Sequence, residues 1–247
     1  MNDYHAPNDL LEQKVILITG AGDGIGKQAA LTYAAHGATC ILLGKTVSKL
    51  EAVYDEIVAN GNAEPAIVPL DLQGATPDHY KGMADTITDQ FGKLDGVLLN
   101  AGALGHLSRF VDISPEEWQK VMQVNLNSNV YLLQALLPVL AKAEQASVVL
   151  TSSSVGRKGR AFWGTYSVSK FATEGMMEVL ADEYKNSNIR FNCINPGATR
   201  TAMRASAFPA EQPETLKTPA EIMPLYLYLM GNDSVKVNGQ SLDCQPK

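Results

Sequence analysis

The stretch "WGTYSVSK" (163–170) sets Tyr166 and Lys170 four residues apart at what reads as the start of a helix. On a helix that spacing puts both side chains on one face. Two readings follow. One is a surface pair with no further purpose. The other is a proton donor: a phenol has a pKa of about 10, too high for easy exchange near neutrality, and a neighbouring ammonium favours the phenolate and draws that value down. Y-x-x-x-K is too common to decide between them, so the remainder of the chain must.

A second stretch, "KVILITGAGDGIGKQAALTYAAHGATCILLGK" (14–45), points to phosphate chemistry. An apolar run enters Gly20, Gly22, Gly24 and Gly26, a helical pattern follows, and a second apolar run closes the unit. Glycines there let the backbone turn sharply and let a pyrophosphate approach the helix N-terminus, where unpaired N–H groups and the helix dipole attract anions. A tight turn without a ligand would not need four glycines in seven residues, so dinucleotide binding is expected. An acid after the second run would bond the ribose hydroxyls and mark NAD(H), whereas a cation would suit the extra phosphate of NADP(H). Gly44 stands in the acid's place and Lys45 follows. NADP(H) is favoured and NAD(H) remains possible; Asp23, inside the glycine loop, argues the other way.

Short apolar runs alternate with helical patterns, and candidate strands fall at 14–19, 38–43, 66–71, 95–100, 147–152, 189–194 and 238–243. Helical periodicity fills the intervals, most clearly at 47–60, 122–145 and 169–187. Alternating strands and helices predict an α/β fold, a Rossmann-type, doubly wound, mostly parallel seven-stranded sheet with helices on both faces. The continuous apolarity of the runs agrees, because central parallel strands are buried on both sides. A single dinucleotide-binding domain over 14–247 is expected, after an N-terminal extension at 1–13. The one break in rhythm, 198–220, is rich in Ala, Pro, Thr and charge and predicts a long substrate loop.

The 247 residues are 45% apolar and 19% charged, enough apolar material for a sizeable core. The net charge of −6 argues against nucleic-acid binding, which needs a basic face. Cys40, Cys193 and Cys244 show no paired spacing and fit reduced thiols of a cytoplasmic protein. The four histidines are scattered, so no metal site is expected. The N-terminus has no leader pattern, and no run is long enough to cross a bilayer, so no membrane partner is expected.

"TGAGDGIG" (19–26), "NAG" (100–102), "VN" (124–125), "SSSVG" (152–156), "YSVSK" (166–170) and "NPGATRT" (195–201) come in an order and spacing that resembles the single-domain short-chain dehydrogenases/reductases. The resemblance covers nearly the whole chain. More narrowly, "ILLGK", "TSSSVGRKGR", "SKFATEGMM" and "NPGATRTAMRASAFP" look like the YciK-like bacterial oxidoreductases. The resemblance implies an enzyme that moves a hydride between NADP(H) and a carbonyl or secondary alcohol. An alkoxide left by hydride addition needs a proton as it forms. Tyr166 would then be the acid/base and Lys170 the cation that lowers its pKa, helped by the oxidised nicotinamide and itself bonded to the nicotinamide ribose. Ser153, thirteen residues before Tyr166, would bond the substrate oxygen, with Ser152 and Ser154 as decoys. Asn125 would interrupt its helix and hold a water linked to the lysine.

Cofactor contacts carry over in the same way. Thr19, Gly20, Gly24, Ile25 and Gly26 would form the cofactor turn, with Lys45 after the second strand. Asp71 and Leu72 would border adenine, and Asn100, Ala101 and Gly102 the adenosine ribose. Tyr166 and Lys170, with Pro196, Gly197, Thr199 and Thr201, would hold the nicotinamide end. Leu99 replaces the commoner first asparagine of "NNAG", and the tail "NGQSLDCQPK" lacks the usual Gly-Gly, which bears on subunit contacts and the pocket floor.

Phe162 and Trp163 offer apolar area beside the pocket. Arg157, Lys158, Arg160, Arg200 and Arg204 lie in the same segments; they either meet an anionic group or form ion pairs within the protein, the latter being the expectation. Helical stretches at 115–143 and 164–187 carry more apolar residues than one buried stripe needs, which fits a homodimer or homotetramer. Two other classes share these motifs. A sugar-nucleotide epimerase or dehydratase would need a longer C-terminal substrate portion than this sequence carries. A nucleotide-sensing or scaffold protein typically loses one of the four polar groups, and none is missing here.

Overall fold

The computed structural model describes residues 4–246. Seven strands, β1 (Val15–Thr19), β2 (Thr39–Gly44), β3 (Ala66–Pro69), β4 (Gly96–Leu99), β5 (Ala146–Thr151), β6 (Ile189–Asn195) and β7 (Gln240–Asp243), form one sheet. Their order is β3-β2-β1-β4-β5-β6-β7 and every neighbouring pair is parallel. Successive strand residues face opposite sides, so the apolar runs feed two cores. Leu17, Val97, Val148 and Phe191 enter the core beneath α3 (Pro77–Phe91), α5 (Ser128–Leu140) and α6 (Gly164–Glu183). Ile16, Ile18, Leu42, Leu98 and Val149 enter the one beneath α1 (Gly24–Ala35), α2 (Val47–Ala59) and α8 (Met223–Met230). That two-sided burial is why the strands read as unbroken apolar runs.

The chain winds from β1 outward to β3 and then returns to β4 on the other side of β1, so the loops after β1 and β4 part there and leave a crevice. Thr19 pins this point. Its buried hydroxyl accepts from the N–H groups of Asn100 (2.9 Å) and Ala101 (3.0 Å). The glycine loop closes against itself just as tightly: a Cβ on Gly26 would lie 2.2 Å from the Gly20 carbonyl oxygen.

Three stretches differ in detail from expectation. The helix anticipated over 115–143 is α4 (Pro115–Met122), one π-helical turn at Gln123–Asn127, and then α5. The segment 198–220 is not a bare loop: it carries α7 (Ala202–Ala207), N-capped by the Thr201 hydroxyl, and a 3₁₀ turn at Pro213–Thr215. Before β1, residues 4–13 lie on the body of the domain, with Leu11 fully buried and the Tyr4 hydroxyl donating to Asp233 at 2.7 Å.

Candidate active site

Two adjoining clefts, of about 350 and 310 Å³, open at the carboxyl ends of the strands and share Gly20, Asp23, Ala101 and Gly102 as a common wall. Together they form one groove over the switch point.

The larger cleft brings Ser153, Tyr166 and Lys170 together with Gly20, Gly24, Ile25, Asn100, Pro196, Gly197, Thr199 and Thr201. Three elements set its catalytic edge. Ser153 leaves β5 in extended conformation and caps the 3₁₀ turn Ser154–Gly156 that follows. Tyr166 is the third residue of α6, and Lys170 lies one turn further along. Gly156 lets the turn press onto that helix, since a Cβ there would meet Lys170 Cβ at 2.8 Å. Lys170 is buried; its Nζ donates to the Thr151 carbonyl at 2.7 Å and lies 5.6 Å from the Tyr166 ring centroid.

Asn125 stands behind the cleft, fully buried in the π turn. Its Oδ1 accepts from Ala103 N–H (2.7 Å), and its Nδ2 donates to the Ala103 carbonyl (2.9 Å) and to Ser169 Oγ (2.9 Å). The helix is interrupted there, as the resemblance implied, and Asn125 ties the loop after β4 to α6. Single π turns recur where a helix must present such a group. Thr19 and Gly26 are likewise behind the groove, shaping its backbone rather than lining it.

The electrostatics correct one expectation. The Tyr166 phenol is not drawn down. Burial pushes it up to about 12, with the Ser153 hydroxyl acting the other way. Burial also lowers the Lys170 ammonium to about 8, against the opposing pull of Cys193 and Glu174. Desolvation disfavours phenolate and ammonium alike, and it is the largest influence on both groups here.

The smaller cleft holds Gly22, Gly44, Lys45, Asp71 and Leu72, and also Thr46, Lys49 and Lys120. Asp23 caps α1 by accepting from Gly24 N–H at 2.7 Å and is ion-paired to Lys49. Its charge is thus answered, and the objection it raised to a phosphate nearby lapses. Lys49 escaped the sequence reading. Its signal was its place in the first turn after the β2 loop.

The cleft's outer wall is Leu104, Trp163, Met203 and Ala207. Trp163 faces inward, 5.9 Å from the Tyr166 ring and 5.8 Å from Phe208. Phe162 does not join it: at φ 72° it turns outward and is 59% exposed. Two arginines are spent within the protein, as expected. Arg204 pairs with Glu211 through two 2.6 Å bonds, and Arg157 meets Glu174 and Asp243. Arg200 donates to the Pro213 carbonyl, and Arg160 lies over Trp163 and Phe208. Ser152, expected as a decoy, lines the cleft with a buried hydroxyl that lacks a partner among the described residues. Gln245 was also missed: its amide donates to the carbonyls of Pro196 (2.9 Å) and Ala198 (3.0 Å), so the tail without Gly-Gly still fixes the loop beneath the pocket.

The residues fit a dinucleotide on structural grounds. The glycine turn has no room for a Cβ at Gly26, the helix N-terminus opens into the groove, and the groove carries lysines at the Gly44 end and Ser153, Tyr166 and Lys170 at the other. Among the described residues no cluster of three or more His, Cys, Asp or Glu could hold a metal ion, and no helix is long and apolar enough to cross a membrane.

Comparison with known proteins agrees with this geometry. The short chain dehydrogenase family model matches residues 14–212. The uncharacterized oxidoreductase YciK of Escherichia coli K12 is 55% identical over 243 residues, covering 98% of this chain and 96% of the relative. A crystal structure described as a short chain dehydrogenase of Escherichia coli CFT073 complexed with NADPH superposes with a TM-score of 0.96 at 55% identity, over 98% of this chain and all of that one. Another, from Shigella flexneri 2a complexed with NADP, gives a TM-score of 0.95 at 55% identity, over 97% and 100%. A parallel sheet with its crevice at the switch point, a glycine turn, and Ser153, Tyr166 and Lys170 on one cleft thus coincide with a match over most of the sequence: the chain belongs to the short-chain dehydrogenase/reductase family of oxidoreductases.

Proposed function

We propose that the protein is an NADP(H)-linked carbonyl reductase or alcohol dehydrogenase acting on a small or medium, uncharged carbonyl or secondary alcohol. The observation that carries it is the meeting of Ser153, Tyr166 and Lys170 in one cleft with the glycine turn.

NADP(H) is the cofactor, as it is in the two similar structures. Gly20, Gly24 and Ile25 would hold its pyrophosphate, and Lys45 and Lys49 its extra phosphate. Asp71, Leu72, Asn100, Ala101 and Gly102 would border the adenosine, and Pro196, Gly197, Thr199 and Thr201 the nicotinamide. Bound NADPH supplies the hydride, and NADP⁺ takes it up in the reverse direction.

The chain's own residues handle the proton. Ser153 donates a hydrogen bond to the substrate oxygen and orients it. Tyr166, held neutral by burial, gives its phenolic proton to that oxygen as negative charge develops. The Lys170 ammonium, fixed on the Thr151 carbonyl, favours the phenolate that results. Asn125 and Ser169 hold the loop after β4 and α6 together so that these groups keep their places.

The apolar wall of Leu104, Trp163, Met203 and Ala207 favours an uncharged substrate, and the one arginine on the cleft is already paired to Glu211. Exposed Val168, Phe171 and Val179 on α6 are read as a subunit contact of a homodimer or homotetramer, which size-exclusion chromatography would test. The buried free thiols fit the reducing cytoplasm.

The test is a thermal-shift comparison of NADPH and NADH followed by a panel of neutral and carboxylated aldehydes and ketones, with and without Arg204→Ala. NADPH consumption with neutral members is expected, with Arg204→Ala changing both groups alike. Nucleotide binding without turnover on any member would favour a sensor instead.

A further inference from the structure

Glu174 lies on α6 one turn beyond Lys170, and it is only 9% exposed. Its Oε1 accepts from Ser241 Oγ at 2.8 Å and from Arg157 Nε at 3.3 Å. Arg157 directly follows the 3₁₀ turn that Ser153 caps. Its guanidinium also donates to Ser241 Oγ (3.0 Å from Nε, 2.6 Å from Nη2) and to Asp243 Oδ1 (2.9 Å). Ser241 is saturated by this arrangement: one hydroxyl proton given, lone pairs taken. Asp243 Oδ1 accepts further from Asn195 Nδ2 (2.7 Å), and Asn195 Oδ1 accepts from Gly197 N–H (3.1 Å). One network therefore joins the Ser153 turn, the lysine-bearing helix, the loop of Pro196 and Gly197, and the edge strand β7.

The network also carries charge to a place that needs it. Lys170 is buried with a neutral carbonyl as its hydrogen-bond partner and no carboxylate within ion-pair distance among the described residues. The charges that act on it are those of Glu174 on its own helix and Cys193 on β6, while Tyr166, Thr151 and Gly102 stand beside it as neutral groups; Asp243 on β7 is ion-paired to Arg157, which is itself paired to Glu174. Burial pushes the Cys193 thiol far up, so it carries no charge near neutrality. Glu174 is the remaining nearby source of negative charge, and Arg157 partly offsets it.

We propose that Glu174, gripped by Arg157 and Ser241, is a positioning residue for the reaction: it locks the Ser153 turn to α6 and supplies the negative charge that keeps the buried Lys170 cationic. Arg157 sets the strength of that charge while tying the turn to β7 through Asp243. The inference rests on the oxidoreductase reading for its consequence in catalysis. The electrostatic part stands on the folded protein alone.

The two variants Glu174→Gln and Arg157→Gln test it with opposite signs. Lys170 is titrated in the full protein by NMR of ¹³Cε-labelled lysine, its signal identified by its loss in Lys170→Met. Glu174→Gln is expected to move the Lys170 midpoint down by about one pH unit, and Arg157→Gln to move it up, because the Glu174 charge is then less offset. The alkaline limb of kcat/KM with NADPH should move with each midpoint. An unmoved midpoint in Glu174→Gln, or movement of both variants in the same direction, would overturn the proposal, since a merely structural clamp gives loss of stability without opposed titrations. Absence of wild-type turnover would count against the oxidoreductase reading instead and would leave the NMR result decisive for Glu174.

Discussion

Lys170 Nζ donates to the Thr151 carbonyl at 2.7 Å while standing 5.6 Å from the ring centre of Tyr166. The ammonium is thereby anchored to the end of β5 and not to the phenol, and both groups are buried in the wall of one cleft.

That burial makes Lys170 a stability cost. Its value of about 8 in the folded chain, against 10.5 for the free side chain, means that the unfolded chain binds more protons between those limits. The penalty is fully present below about pH 8 and fades as pH rises toward 10.5. Lys170→Met removes that pH dependence and should lose turnover, so wild type should gain about 2 kcal/mol relative to the variant between pH 7 and 9.5. Urea unfolding of both proteins at those two pH values checks this; a stability difference that does not change with pH would contradict it.

Gly26 offers a purely steric test. A Cβ would stand 2.2 Å from the Gly20 oxygen and 2.8 Å from Asn100 Nδ2, so the turn and the loop after β4 must both shift. Gly26→Ala should cost about 1–3 kcal/mol of stability and weaken NADPH binding by more than the stability loss alone explains. Chemical denaturation and nucleotide fluorescence titration measure the two effects.

At the other end of the groove, Lys45 and Lys49 border the same cleft as Gly44, and Asp23 holds Lys49 in place. Each lysine changed to alanine should weaken NADPH by about tenfold and leave NADH nearly unchanged, as expected for a charged contact to one phosphate. Isothermal titration with both nucleotides decides it. Equal losses for NADPH and NADH would place the extra phosphate elsewhere.

Much of this arrangement was legible in the sequence because it rests on local signals. Apolar runs marked the central strands, which are buried on both faces, while the half-exposed edge strands β3 and β7 gave a weaker signal, and the glycine spacing marked the turn at Gly20–Gly26. The pairing of Tyr166 with Lys170 followed from one turn of helix. What escaped depends on contacts between distant segments. No local pattern says that Lys49 will meet Asp23, that Gln245 will hold the loop at Pro196, or that Arg157 will span to Asp243. The direction of the Tyr166 shift was missed for a related reason: spacing reveals a neighbouring charge, whereas the dominant influence is the depth of burial, which the whole fold sets. The interruption of the helix at Asn125 was foreseen only through family resemblance, and its form as a π turn was not, because the surrounding residues keep an ordinary helical pattern.

The central claim is that the Tyr166 hydroxyl is the proton donor to the substrate oxygen, and Tyr166→Phe tests it most directly. The substitution removes one oxygen from a buried ring and leaves Lys170, Ser153 and the glycine turn in place. NADPH-dependent reduction of the best neutral carbonyl should fall about 10²–10⁴-fold, with NADPH affinity within about twofold of wild type. Turnover within a few-fold of wild type, at unchanged NADPH affinity, would contradict the account.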